Sequence, residues 1–233
     1  MDYVWHKHYQ QGVAHDIDAS TYNSIPELLE ESFSKFADKP AFHCMGKTLT
    51  YAEIDLQSRK FASYLQNTLN LKKGDRVALM MPNILQYPVA LFGLLRAGMV
   101  CVNVNPLYTS RELEHQLVDS GADVILCFEN SAHCLEKALP NTNVKHVILT
   151  GIGDMLGGFK SHLVNFVIKN VKKMVPKYHL PQAKTFKHIM GLADPSLFKK
   201  QEIKSSEIAF LQYTGGTTGV SKGAILTHRN ILA

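Results

Sequence analysis

The sequence predicts an α/β fold built on a doubly wound parallel sheet, and three observations carry the prediction. Four apolar runs, Val77-Ala78-Leu79-Met80-Met81, the stretch 99–104, Val124-Ile125-Leu126-Cys127-Phe128 and Val147-Ile148-Leu149, lack polar alternation, which marks strands covered on both faces. Stretches with apolar residues at helical spacing separate these runs. The connections are short, so strand and helix alternate as in βαβ units, and no internal repeat competes with that reading.

The chain opens on a polar leader. Ser24-Ile25-Pro26-Glu27 then supplies an N-cap serine and a first-turn proline, and Leu28, Leu29, Phe33 and Phe36 continue a helix that ends before Lys39-Pro40. Ala41-Phe42-His43-Cys44-Met45 and Thr48-Leu49-Thr50 read as a hairpin around Gly46-Lys47. A long helix is expected over 51–69, with Tyr51, Ile54, Phe61, Tyr64, Leu65 and Leu69 largely on one stripe. Gly74-Asp75-Arg76 turns the chain into the first buried strand and Pro82-Asn83 ends it. A helix over 84–97 follows, capped by Gly98 ahead of the strand 99–104. Ser110-Arg111-Glu112-Leu113 opens the next helix, and Gly121 closes it. A strand at 124–128, a helix around 132–139 and a strand at 147–149 complete the alternation. Residues 186–204 lack clear periodicity and read as a connection to the last strands.

At 233 residues the chain is long enough to bury a substantial core, and 45% hydrophobic with 19% charged residues is the balance of a globular protein. A net charge of +5 is mild, and the basic residues gather in one segment without a nucleic-acid-binding motif. No nucleic-acid partner is expected. Cys44, Cys101, Cys127 and Cys134 form no CxxC pair and no zinc spacing, so reduced packing cysteines and no protein-bound metal are expected. His6, His8 and His15 fall in the leader, where solvated side chains are the default. There is no apolar h-region at the N-terminus and no run near the roughly 20 apolar residues of a membrane span. A cytoplasmic protein is the expectation.

The densest chemistry lies in Tyr213-Thr214-Gly215-Gly216-Thr217-Thr218-Gly219-Val220-Ser221-Lys222-Gly223. Gly215, Gly216 and Gly219 have no Cβ, so successive backbone N–H groups can approach a ligand oxygen. Thr214, Thr217, Thr218 and Ser221 add hydroxyl donors, and Lys222 adds a mobile positive charge. The set suits a phosphate. A Gly/Thr-rich surface turn accounts for a pair of glycines but poorly for the whole run of eleven contiguous residues. Nor is this a Walker A loop, because Ser221 precedes Lys222, Gly223 follows it, and Ala224-Ile225-Leu226 continues as a strand before Thr227 caps a helix.

That stretch, continued by Ala224-Ile225-Leu226-Thr227-His228-Arg229-Asn230, resembles the phosphate-binding signature of the adenylate-forming acyl-CoA synthetases. Within them the chain is most similar to bacterial long-chain fatty acid–CoA ligases, along nearly its whole length. Met81-Pro82-Asn83 with Gln86-Tyr87-Pro88-Val89, and Arg96-Ala97-Gly98 with Val102-Asn103-Val104-Asn105-Pro106-Leu107-Tyr108-Thr109, resemble two further blocks of the family. The resemblance implies the N-terminal part of the AMP-binding domain, with 151–205 a basic amphipathic connection and 207–233 the strand pair of the phosphate loop. It implies ATP-dependent conversion of a long-chain fatty acid to acyl-AMP and then, with coenzyme A, to acyl-CoA, with Mg²⁺ accompanying ATP. Thr214, Gly215, Gly216, Thr217, Thr218 and Gly219 are implied to hold the β/γ-phosphates, and Lys222 to stabilise the leaving pyrophosphate. Tyr213, Val220, Ser221, Gly223 and Ala224 complete the implied nucleotide-binding set.

The family's adenine, ribose and Mg²⁺-placing motifs and its lid lysine come later in sequence, and none of them is present here. The chain is therefore expected to be the N-terminal part of a longer enzyme and inactive alone. Two other classes stay open, a phosphate-binding module without catalysis and a lipid-surface adapter. Asn103, Asn105 and Pro106 stand where a strand gives way to a loop, a usual place for ligand contacts, although Asn105-Pro106 is more simply a strand terminator.

Residues 156–175 change character. Leu156, Phe159, Leu163, Phe166, Val167, Val171 and Met174 recur at helical spacing with Val164, Ile168 and Val175, opposite Lys169, Lys172 and Lys173. The favoured reading is a helix packed on the sheet with a solvated basic edge. The alternative is contact with the inner-membrane surface by the whole segment from Leu156 through Val175, drawn by anionic lipid and apolar burial together.

Overall fold

The computed structural model describes residues 3–214 and 221–233. Helix α1 (Ile25–Lys35) begins where the Ser24 hydroxyl accepts from Glu27 N–H, and it leads to the hairpin β1 (Pro40–Cys44) and β2 (Lys47–Thr50). Met45 and Gly46 turn that hairpin, both at positive φ, so the turn lies one residue earlier than expected. Thr50 and Glu53 form a reciprocal cap on α2 (Tyr51–Ser63), which ends in a wider π turn over Tyr64–Thr68.

Then come β3 (Arg76–Met80), α3 (Gln86–Arg96), β4 (Val100–Val104), α4 (Ser110–Ser120), β5 (Val124–Phe128), α5 (Ala132–Ala138) and β6 (His146–Thr150). Gly121 closes α4 in the left-handed region, as the sequence predicts. The rest of the chain holds α6 (Gly158–Phe166), β7 (Lys184–Thr185), α7 (Phe186–Leu192), β8 (Ile208–Thr214), β9 (Lys222–Thr227) and α8 (His228–Leu232).

Among the described residues the main sheet has seven strands in the order β7-β6-β5-β3-β4-β8-β9, all parallel except β9, which runs antiparallel to β8. The apolar runs divide alternately between two cores. Val77, Leu79, Val124 and Leu126 face α1, α2 and α3, whereas Ala78, Met80, Ile125 and Cys127 face α4 and α5. Helices on both faces make the sheet doubly wound. The chain leaves β3 toward β4 but leaves β4 for the far side of β3, so the direction of winding reverses between these two strands. On the first face α3 lies tight against α2, because a Cβ on Gly93 would come within 2.8 Å of the Ser58 carbonyl oxygen.

Two expectations change. Phe186, Ile189 and Met190 bury one face of α7, and Thr185 accepts from His188 N–H as its cap, so 186–204 holds a helix and is not a bare connection. At only two turns the periodicity is too brief to stand out. The second change concerns 156–175. Leu156 is buried ahead of α6, but the helix then turns Ser161, Val164 and Asn165 inward and leaves Phe159 78%, Phe166 57% and Leu163 47% exposed. Asn165 decides that orientation, because it accepts from Gly153 N–H at 2.8 Å and donates to Asp154 Oδ1 at 2.8 Å. The bulky apolar stripe therefore does not pack on the sheet. Among the described residues no helix is long and apolar enough to cross a membrane.

Candidate phosphate-binding site

Strands β8 and β9 form a hairpin whose last pairs are Tyr213 with Gly223 and Thr214 with Lys222. The expected cradle residues Gly215, Gly216, Thr217, Thr218, Gly219 and Val220 lie outside the described residues. What the structure defines is the mouth of the loop. Thr214 and Lys222 are exposed on its two sides, and Ser221 is half-buried beside Lys222.

The remaining residues of the stretch build the root. Tyr213 is buried, and its hydroxyl donates to Asp119 Oδ2 at 2.5 Å. Burial, reinforced by the Asp119 carboxylate, pushes the phenol above its ordinary range, so Tyr213 serves as a neutral donor. Gly223 lies under its ring. A Cβ at that position would come 3.0 Å from Tyr213 Cζ, so this glycine makes room for an aromatic side chain across the ladder. Ala224 pairs with Gln212 inside β9. His115 on α4 places Nε2 3.1 Å from the Ser221 carbonyl oxygen.

Beside the mouth, at the carboxyl ends of β3, β4 and β8, lies a cavity of about 480 Å³ whose polar lining includes Asn83, Tyr87, Asn103, Asn105, Tyr108 and Gln212. It sits at the reversal of the winding, where open α/β sheets bind ligands. Tyr87 OH donates to Asn103 Oδ1 at 2.9 Å, and Asn103 Nδ2 donates to Gln212 Oε1 at 3.0 Å, tying α3, β4 and β8 together. Burial raises the Tyr87 phenol to about 12, which keeps it a donor. Asn105 Oδ1 accepts from Leu107 N–H at 3.0 Å, the local bond of a turn that ends a strand.

After β9, Thr227 and Asn230 cap α8 reciprocally. His228 is 2% exposed, and its Nδ1 accepts from Ile25 N–H at 3.2 Å, anchoring the strand pair to the start of α1. Sequence reasoning assigns no such role to His228, His115 or Asp119. Their partners stand 203, 106 and 94 residues away, and no local pattern reports contacts of that range.

The profile of the AMP-binding enzyme family matches residues 29–233. The chain belongs to the AMP-binding enzyme family. Among family members it is 56% identical over 233 residues to a long-chain-fatty-acid–CoA ligase of Salmonella typhimurium, an alignment covering 100% of this chain and 42% of that protein. The crystal structure of an anthranilate CoA ligase bound to anthranoyl-AMP has the same fold, with a TM-score of 0.75 at 18% identity over 91% of this chain and 37% of that one. A long-chain-fatty-acid–CoA ligase from Archaeoglobus fulgidus gives a TM-score of 0.69 at 25% identity, over 90% of this chain and 38% of that one. The chain thus spans about two fifths of the length of the curated relative it matches.

Proposed function

We propose that these residues are the phosphate-binding part of a long-chain fatty acid–CoA ligase. The observation that carries the reading is the 56% identity to a ligase of that specificity over all 233 residues. The activity proposed for the whole enzyme has two steps. A fatty carboxylate attacks the α-phosphorus of ATP and expels pyrophosphate, and the thiol of coenzyme A then displaces AMP from the acyl-AMP.

The first step gathers negative charge on phosphate oxygens, and donors aligned beforehand stabilise it more than donors that must be recruited. Thr214, Ser221 and Lys222 stand at the loop mouth, where they suit that task. No group of three or more His, Cys, Asp or Glu side chains that could hold a metal occurs among the described residues. Magnesium enters this proposal as the magnesium complex of ATP, part of the substrate.

Residues 1–233 by themselves are proposed to bind the triphosphate and complete neither half-reaction, because the family's adenine-, ribose- and lid-type motifs are not among them. Palmitate-dependent ATP–pyrophosphate exchange separates the two statements. It is expected to be absent from the 233 residues and present in a polypeptide that continues past Ala233. Exchange by the short form overturns the first statement, and no exchange by the long form overturns the second.

We also propose a cytoplasmic enzyme that touches the inner-membrane surface through 156–175. Exposed Phe159, Leu163 and Phe166 and exposed Lys172 and Lys173 support this contact. Lys169 contributes less, since Glu129 Oε1 neutralises it at 2.6 Å. Co-sedimentation with anionic liposomes should fall sharply in Phe159→Glu. Equal binding by that variant ends the idea.

A further inference from the structure

Helix α4 reaches both limbs of the candidate loop. His115 and Asp119 are one turn apart and so project from one side of the helix. His115 Nε2 lies 3.1 Å from the Ser221 carbonyl oxygen, which only accepts, so the imidazole is the donor. Asp119 Oδ2 accepts from Tyr213 OH at 2.5 Å. Tyr213 is the penultimate residue of β8 and Ser221 directly precedes β9, so two side chains of one helix hold the outgoing and returning limbs of one hairpin.

The helix has its own fixed footing. Thr109 and Glu112 cap its start reciprocally, and Gln116, fully buried between the two loop-facing residues, donates to the Asn103 carbonyl oxygen at 2.7 Å. A fixed bracket of this kind matters at the mouth formed by Thr214, Ser221 and Lys222, because donors held in place before a ligand arrives lose less affinity to ordering than donors that must be brought together.

We propose that His115 and Asp119 are positioning residues for the mouth of the β8–β9 hairpin, setting the separation of Tyr213 from Ser221 and so holding Thr214, Ser221 and Lys222 ready for a polyphosphate. The inference rests on the phosphate reading of the loop. Neither side chain is assigned a contact with the ligand.

The test is isothermal titration of the protein with magnesium tripolyphosphate, well below its unfolding temperature, alongside a thermal melt. One hydrogen bond to a limb is worth about three- to tenfold in an equilibrium constant, so His115→Ala and Asp119→Ala should each weaken binding by about fivefold. His115→Gln and Asp119→Asn, which keep a donor and an acceptor, should return to within about twofold of wild type. Tyr213→Phe removes the Asp119 bond from the strand side with little change of volume. It should match Asp119→Ala, and the double variant should be no weaker than either.

A lowered melting temperature with unchanged affinity reduces both residues to fold stabilisers and overturns the proposal. Wild type that binds and alanine variants that bind equally well overturn it too, leaving the phosphate reading intact. Wild type that does not bind tripolyphosphate removes the phosphate reading and this inference together.

Discussion

Acid should loosen the join between the strand pair and α1 through one side chain. His228 is 2% exposed, and burial lowers its imidazole from 6.5 to about 4, a fall that neighbouring Glu207 only partly offsets. Between these values an unfolded chain binds a proton at this position and the folded chain does not. Stability is therefore full above pH 6.5, falls as the pH drops toward 4, and loses nothing further to this group below that. Each pH unit of the interval is worth about 1.4 kcal/mol, so the loss approaches about 3 kcal/mol. That is a large share of the roughly 5–15 kcal/mol that holds a domain folded.

The assay is urea unfolding at steps from pH 7 to pH 4, for wild type and for His228→Asn, whose side-chain oxygen can still accept from Ile25 N–H but does not titrate. Wild type should show the steeper loss, by up to about 1.4 kcal/mol per pH unit in the middle of the window. Parallel profiles would refute the claim that a buried neutral His228 anchors this join.

Gly223→Ala forces a Cβ to 3.0 Å from Tyr213 Cζ and should cost about 1–2 kcal/mol in urea unfolding, whereas the same change in a Tyr213→Ala background should cost nothing. Additive costs would mean that the ring and the glycine are not partners. Arg96 is 4% exposed, 2.8 Å from Asp55 Oδ1 and 3.7 Å from Glu30 Oε1, and packed between the rings of Phe33 and Phe198, so Asp55→Ala, which removes the shorter of these ion pairs, should destabilise the fold by about 2 kcal/mol. Melts within experimental error of wild type would contradict that. Burial raises the thiols of Cys101 and Cys127 far above their usual range, while Cys44 and Cys134 are half-buried. Thiol titration with a disulfide reagent should therefore modify Cys44 and Cys134 first and reach the other pair only on unfolding; early modification of Cys101 would disprove its burial.

Most of the fold was legible because its determinants are local. Ser24 and Thr227 cap the helices that the sequence assigns to them, Thr50 and Thr109 cap α2 and α4 one residue ahead of where each helix is expected to open, and Gly121 sits where a left-handed residue must end α4. The buried strands of the sheet announced themselves by continuous apolar runs. The strand β7 is two residues long and has no pattern to read. Orientation of α6 was also illegible, since an apolar stripe states which face is oily but not which face the protein keeps, and Asn165 settles the matter through partners up to 12 residues away. At the site, the residue types pointed to an anion. The root of the loop, with Tyr213 on Asp119, Ser221 on His115 and Gly223 beneath a ring, depends on chain segments brought together only by the fold.

The hairpin of β8 and β9 is proposed to hold the phosphates of ATP. Titration of the protein with magnesium ATP, followed by backbone amide NMR, is the deciding experiment. Shifts are expected to concentrate at Thr214, Ser221, Lys222 and Gly223, with affinity about tenfold weaker in Lys222→Ala. Shifts confined to other elements, or a Lys222→Ala variant that binds as tightly as wild type, would contradict it.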